Sequence, residues 1–297
     1  VNDKSVFVKE LVQTDDAMLA LALSPDGKKL ASAGTDRLLR VWDLPTGKLE
    51  FTVENHAVWD ALFARQQAML AGRAVQAFEE GLEILRLSRP GIPRLDELNE
   101  RLHARTGWTV VSVPGLVPDE IFFRHLSERR FPAGNFIRSA RQLDYLEEPD
   151  VFHDIFGHVP LLAQPAVADY MQRLGQHGLA AVEAGALHRL ARLYWYTVEF
   201  GLAREEGALK IYGAGILSSF GESRFSLESS IPSRPAFDLR RVLRTRYRSD
   251  ASSIATSSST ASTICSSGSG RSRWSPCTGN WTAAMISIRH SRRSAPP

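Results

Sequence analysis

The 297-residue sequence predicts a mainly α-helical domain with a few short strands, an α+β fold, on two observations. From His56 to about Arg204 apolar residues recur at three- and four-residue spacing over long stretches, as they do on one face of a helix. The extended pieces between them are short and few, at Trp108–Val113 and near Phe131–Arg138. Apolar residues make up 43% of the chain, enough for a real core, and no apolar run is long enough to predict a membrane-spanning helix.

Residues 1–16 carry no assignment. Their sequence, VNDKSVFVKELVQTDD, has no basic start followed by an apolar run, so no secretory signal is expected and the expected location is cytoplasmic. Residues 17–52 have a different pattern from the rest of the chain. Alternating apolar runs (Leu19, Leu21, Leu23; Leu30, Ala31; Leu39, Val41) are split by the turn signals Pro25-Asp26-Gly27, Gly34-Thr35-Asp36 and Pro45-Thr46-Gly47. With Trp42-Asp43 closing the last run, the segment resembles one WD40 repeat, a single blade of a β-propeller. No second copy occurs at a spacing of about 40 residues, and such repeats are stabilised by their neighbours. A fused fragment is therefore expected rather than a working propeller.

The third segment, residues 53–248, is expected to be the catalytic domain. Trp59, Leu62, Phe63 and Leu70 begin the helical spacing, and Phe78, Leu82 and Leu85 continue it. Ile92-Pro93 and the acid-rich run at 95–98 start a further helix that ends near Gly107. Two long helices are expected at Val167–Glu183 and Leu187–Arg204. After Arg248 the composition collapses: 15 of 49 residues are Ser, with no Leu, Val, Phe, Tyr, Glu or Lys. Such a segment cannot offset the entropy of ordering by burial, so a disordered Ser/Arg-rich tail is expected, and its sudden onset fits an out-of-frame stretch of a GC-rich gene.

Charge follows the same division. Residues 249–297 hold five Arg and one Asp, a net of +4, against +3 for the whole chain, so residues 1–248 carry −1. The body has no electrostatic footprint for nucleic acid. Both cysteines, Cys265 and Cys277, lie in the tail, which leaves the body without a disulfide or thiolate metal site. A monomer acting on a small molecule, with no nucleic-acid or membrane partner, is the expectation.

Candidate chemistry concentrates in PDVFHDIFGHVPLL (149–162), YWYTVEFG (194–201), IYGAGILSSFGE (211–222) and the stretch from Trp108 to Arg138. His153 and His158 are five residues apart, which on an unbroken α-helix separates them by about 140°. Gly157 and Pro160 suggest that a helix starting near Pro149 ends near Gly157, so that both imidazoles can converge. Glu199 sits in a very apolar helical run, where a carboxylate is normally protonated, paired or metal-bound. Two His and one carboxylate make the facial triad of non-haem Fe(II) oxygenases. Spacing alone leaves the alternatives open: two unrelated helix histidines, and a Glu199 paired with Arg192.

In this order and spacing, FHDIFGHVPLL, YWYTVEFGL and IYGAGILSSFGE resemble the biopterin-dependent aromatic amino acid hydroxylases, continuously from about Glu54 to Arg248. Asp154 after the first His is similar to the bacterial phenylalanine hydroxylases, where animal relatives usually carry Glu. The resemblance implies iron ligands His153, His158 and Glu199, and Arg138 as the arginine that holds the substrate's α-carboxylate. It implies Gly115, Leu116, Val117 and Phe122 as the pterin cradle, Asp154 approaching the pterin through water, and Trp195, Gly215 and Ser218 lining the amino acid pocket. The implied cofactors are Fe(II) and tetrahydrobiopterin or a related tetrahydropterin, with O2 as cosubstrate. The implied reaction is para-hydroxylation of phenylalanine to tyrosine. The pattern departs from the family after Arg-Thr-Arg-Tyr-Arg (244–248), where an aromatic-rich segment is replaced by SDASS. Rival expectations are a tyrosine or tryptophan hydroxylase of the same family, a WD40-type binding protein, and a non-functional chimera of joined fragments.

Overall fold

The computed structural model describes residues 17–35, 39–43, 48–144, 148–246 and 263–265. Residues 1–16, Asp36, the Pro45-Thr46-Gly47 turn and all of the Ser-rich tail except 263–265 lie outside the described residues. β1 (Met18–Leu23), β2 (Lys29–Gly34), β3 (Leu39–Asp43) and β4 (Lys48–Glu50) form a four-stranded antiparallel meander in sequence order. Its first turn is built by short-range polar contacts. Asp26 accepts from the Ser24 hydroxyl at 2.6 Å and from the Lys28 N–H at 3.1 Å. Across β2 and β3 the buried Trp42 indole donates to the Ser32 hydroxyl at 3.1 Å.

Helix α1 (Val53–Leu70) starts at a reciprocal cap. The Thr52 hydroxyl accepts the Asn55 N–H and the Asn55 side chain accepts the Thr52 N–H. Its buried face carries Val58, Trp59, Leu62, Phe63 and Leu70, the helical spacing read in the sequence. Helix α2 (Gln76–Leu85) adds Phe78, and α3 (Leu95–Thr106) ends at Gly107. Next, β5 (Thr109–Val113) and β6 (Arg130–Gly134) pair in parallel through the crossover helix α4 (Asp119–Ser127). The second strand thus stops four residues short of Arg138.

A π-helix (Phe152–His158) runs straight into α5 (Val159–Leu162), followed by α6 (Pro165–Glu183) and α7 (Leu187–Tyr194). A second π-helix (Trp195–Glu199) continues α7. The helix expected to reach Arg204 therefore ends at Glu199, and 202–204 belong to a strand. The reason is a hairpin: Glu206 (φ 51°) and Gly207 (φ 80°) both take the left-handed conformation of a two-residue turn between β7 (Leu202–Glu205) and β8 (Ala208–Ile211). Short helices α8 (Ala214–Leu217), α9 (Phe220–Glu228) and α10 (Leu239–Arg244) complete the body, and β9 (Thr263–Cys265) lies parallel to β7. These three tail residues depart from the expectation of disorder. Among the described residues no helix is long and apolar enough to cross a membrane.

The first π-helix is clamped by aromatic rings. Phe152 and Phe156 stack at 4.7 Å, Trp59 of α1 meets Phe152 edge-on at 5.2 Å, and Phe63 and Phe78 meet Phe156 at 5.4 and 5.5 Å. Phe152 and Phe156 are fully buried, so one face of this helix is fixed in the core while the other turns to the site.

Candidate metal and substrate site

The π-helix answers the five-residue spacing of the histidines. Its i→i+5 bonding sets residue i+5 nearly one turn above residue i, so His153 and His158 share a face without the helix ending. This corrects the expected stop near Gly157, since the chain stays helical through Leu162. Glu199 is delivered the same way: the Phe200 N–H donates to the Trp195 carbonyl at 3.0 Å, closing the second π-helix on its far side.

The three side chains converge. His153 Nε2 lies 3.3 Å from His158 Nε2 and 3.2 Å from Glu199 Oε1, and His158 Nε2 lies 3.1 Å from Glu199 Oε2. Each imidazole thus faces its own carboxylate oxygen, and the contacts of about 3 Å fit a first-row ion held among the three residues at roughly 2.1 Å from each ligand. The donor set, two imidazoles and a carboxylate, suits Fe(II). Asp154 also lies near, with donor atoms of His153, Asp154 and His158 all within 4.8 Å of one another. Its carboxylate, however, is engaged by the Gly134 N–H at 2.7 Å, at the end of β6, while Glu199 faces both imidazoles. Glu199 is therefore the third donor of the closer set.

Burial and mutual charge act against each other here. Burial opposes ionisation of Glu199, but His153 and His158 outweigh it and hold the carboxyl well below its usual range. Burial also lowers His153, yet Glu199, Asp154 and Asp150 more than reverse this and raise it to about 9. For His158 burial prevails and its basicity falls. Asp154 is pushed up to about 7, chiefly by burial. Tyr194 is raised well above the usual phenol range by burial and by the charges of Glu199 and Asp154.

Ser218 orients a ligand. Its hydroxyl donates to the Ala214 carbonyl at 2.8 Å and so accepts from His153 Nδ1 at 2.9 Å. That assigns the proton of neutral His153 to Nδ1 and points the Nε2 lone pair at the cluster. Gly215 lets this segment pass: a Cβ there would lie 3.0 Å from Glu199 Oε1 and 3.0 Å from the Phe200 ring. Both residues, expected in the amino acid pocket, touch the metal-ligand shell in the structure.

Arg138 is held by a partner absent from the expectations. Asp150, fully buried, accepts from Arg138 Nε at 2.8 Å, Nη2 at 3.0 Å and the backbone N–H at 2.9 Å. Asp150 also accepts the His153 N–H at 3.0 Å, tying the guanidinium to a metal ligand. One side of the fork is thus taken, and the Nη1–Nη2 end retains donors for a second carboxylate. No sequence signal marks Asp150, because its burial and its pairing with Arg138 arise from tertiary packing.

Aromatic residues surround the cluster. Phe131 lies 4.9 Å from the His158 ring, and Tyr194 stacks on it at 6.0 Å with its hydroxyl 3.4 Å from Nε2. Phe122 meets Tyr194 edge-on at 5.1 Å, and Trp195 stacks on Phe200 at 6.3 Å. Of the expected cradle 115–117, Leu116 is exposed and Gly115 sits close to Glu148 Oε1. Phe131 and Tyr194 lie within stretches singled out in the sequence, but nothing there assigns either of them a place against His158.

A family model described as biopterin-dependent aromatic amino acid hydroxylase matches residues 42–253. Over 200 residues the chain is 59% identical to the phenylalanine-4-hydroxylase of Ralstonia nicotianae, covering 67% of this chain and 64% of that relative's length. Among solved structures it is similar to the iron- and phenylalanine-bound phenylalanine hydroxylase of Chromobacterium violaceum, at 50% identity and a TM-score of 0.67, covering 73% of this chain and 76% of that one. The structure of that enzyme with iron(III) and 7,8-dihydrobiopterin matches at 52% identity and a TM-score of 0.69, covering 73% and 77%.

Proposed function

The chain belongs to the biopterin-dependent aromatic amino acid hydroxylases, and from that premise we propose that it is an iron- and tetrahydropterin-dependent phenylalanine 4-monooxygenase producing tyrosine. The observation that carries this is the buried cluster of three residues in which the Nε2 atoms of His153 and His158 lie 3.3 Å apart and each faces one carboxylate oxygen of Glu199, at 3.2 and 3.1 Å. These residues would hold the iron. When bound, iron with a reduced pterin supplies the activation of O2 that ring hydroxylation requires.

The chain's own residues do the rest. Ser218 keeps His153 in the tautomer that leaves Nε2 available. Arg138, braced by Asp150, receives the amino acid's carboxylate at its Nη1–Nη2 end. Trp195, stacked on Phe200, offers an aromatic wall to the substrate ring. Phe122 and the backbone of Gly115, Leu116 and Val117 receive the pterin, with Asp154 reaching it through water. The fully buried Phe131, Phe152 and Phe156 keep bulk water from the inner side of the cluster.

A substrate panel tests the reading. The iron-loaded chain, supplied with tetrahydrobiopterin and O2, is expected to give tyrosine from phenylalanine with higher kcat/KM than on tyrosine or tryptophan. Preference for either of the other amino acids, or no hydroxylation by fully iron-loaded protein, refutes it.

A further inference from the structure

β1 is the edge of the meander and, among the described residues, is hydrogen-bonded on one side alone, to β2. Its sequence, MLALAL, contains no charge and no Pro, the devices with which edge strands are usually kept apart. One bulge interrupts it, where Leu19 is the extra residue between the pairs Met18–Gly34 and Ala20–Ala33. Leu19, Leu21 and Leu23 are 67%, 61% and 60% exposed. Ser24 donates its N–H to the Lys29 carbonyl at 2.9 Å across the hairpin. Alternation along the strand then turns the peptide groups of Leu21 and Leu23 to the open edge.

The strand's own pattern selects the occupant. Residues 19–23, L-A-L-A-L, read the same in both directions. Antiparallel pairing about a two-fold axis at Leu21 sets Leu21 against Leu21, Leu19 against Leu23 and Ala20 against Ala22. Leucine meets leucine on one face, alanine meets alanine on the other, and no like charges oppose. We propose that two copies of this chain pair antiparallel through the open edge of β1, joining their meanders into one eight-stranded sheet. A few aliphatic side chains bury much less than the ~800 Å2 per partner of a standard interface. The pairing is therefore weak: the dilute chain is the monomer expected from the sequence, and the dimer fills as concentration rises.

Sedimentation velocity on the full chain over a wide concentration range tests this. Wild type is expected to shift from monomer to dimer. Leu21→Pro removes an N–H that faces the open edge and leaves the bonds to β2, so it is expected to stay monomeric with an unchanged circular-dichroism spectrum. In a Cys265→Ser/Cys277→Ser background, Leu21→Cys is expected to oxidise to a covalent dimer, because directly paired residues lie within disulfide reach. Lys28→Cys, in the exposed hairpin turn, is not expected to do so. A wild type that is monomeric throughout or forms open-ended aggregates, a Leu21→Pro variant that dimerises normally, or equal cross-linking at 21 and 28 overturns the proposal.

Discussion

Replacing Arg138 with Ala removes two side-chain bonds to a fully buried carboxylate, Asp150. Breaking one partner of a buried ion pair costs about 3–5 kcal/mol. Asp150 keeps two backbone donors, the N–H groups of residues 138 and 153, which argues for the lower end. At about 2–4 °C per kcal/mol for a domain of this size, a loss near 3 kcal/mol lowers Tm by roughly 6–12 °C. Independently, losing the carboxylate clamp is expected to raise KM for phenylalanine about 10–100-fold, the equivalent of roughly 1.5–3 kcal/mol. Arg138→Lys recovers part of each, since an ammonium cannot pair on two sides as the planar fork does. The double variant Arg138→Leu/Asp150→Asn separates the roles. It neutralises the stranded charge and is expected to regain most of the Tm while KM stays high. Calorimetry and steady-state kinetics on these variants read both. An unchanged Tm in Arg138→Ala, or a normal KM in the double variant, refutes the assigned roles.

Other outcomes rest on the same contacts. Ser218→Ala takes the acceptor from His153 Nδ1 and is expected to weaken iron binding about 10–100-fold in an iron titration; unchanged affinity would contradict the orienting role. Gly215→Ala drives a methyl against Glu199 Oε1 and Phe200, so iron content is expected to fall with little change in Tm; full iron retention argues that the segment yields. Removing residues 249–297 deletes the short β9 ladder on β7 and is expected to cost about 1–3 kcal/mol, seen as a small drop in Tm. A frame shift near codon 249 is expected to restore an aromatic-rich segment and raise Tm above that of the present chain; a lower Tm would remove the out-of-frame interpretation.

The donor residues are legible in the sequence through the family resemblance; residue chemistry alone makes His153, His158 and Glu199 candidates and leaves a Glu199–Arg192 pair open. How His153 and His158 converge is not. A π-helix has the same residue preferences as an α-helix, and only the five-residue spacing hints at it. β7 reads as helix because apolar residues recur at helical spacing from Leu187 to Leu202, so that Gly201 is passed over as a stop, and the turn at Glu206-Gly207 comes only after the strand. Asp150 is inconspicuous since its partner lies 12 residues away and its burial depends on tertiary packing. Resemblance places Ser218 near the substrate, while its bond to His153 emerges only from the folded geometry. The apolar face of helix α1 (Trp59, Leu62, Phe63, Leu70) is legible in the sequence, whereas its start at the Thr52 cap and its end at Leu70 are not.

Iron stoichiometry in four variants tests the central claim most directly, because it separates the two carboxylates near the histidines. Wild type is expected to bind about one iron per chain in equilibrium dialysis under reducing conditions. His153→Ala, His158→Ala and Glu199→Ala are expected to lose it, whereas Asp154→Ala keeps it, since its carboxylate is held by Gly134 and is not the third donor. Near-normal iron in Glu199→Ala together with loss in Asp154→Ala would contradict the account.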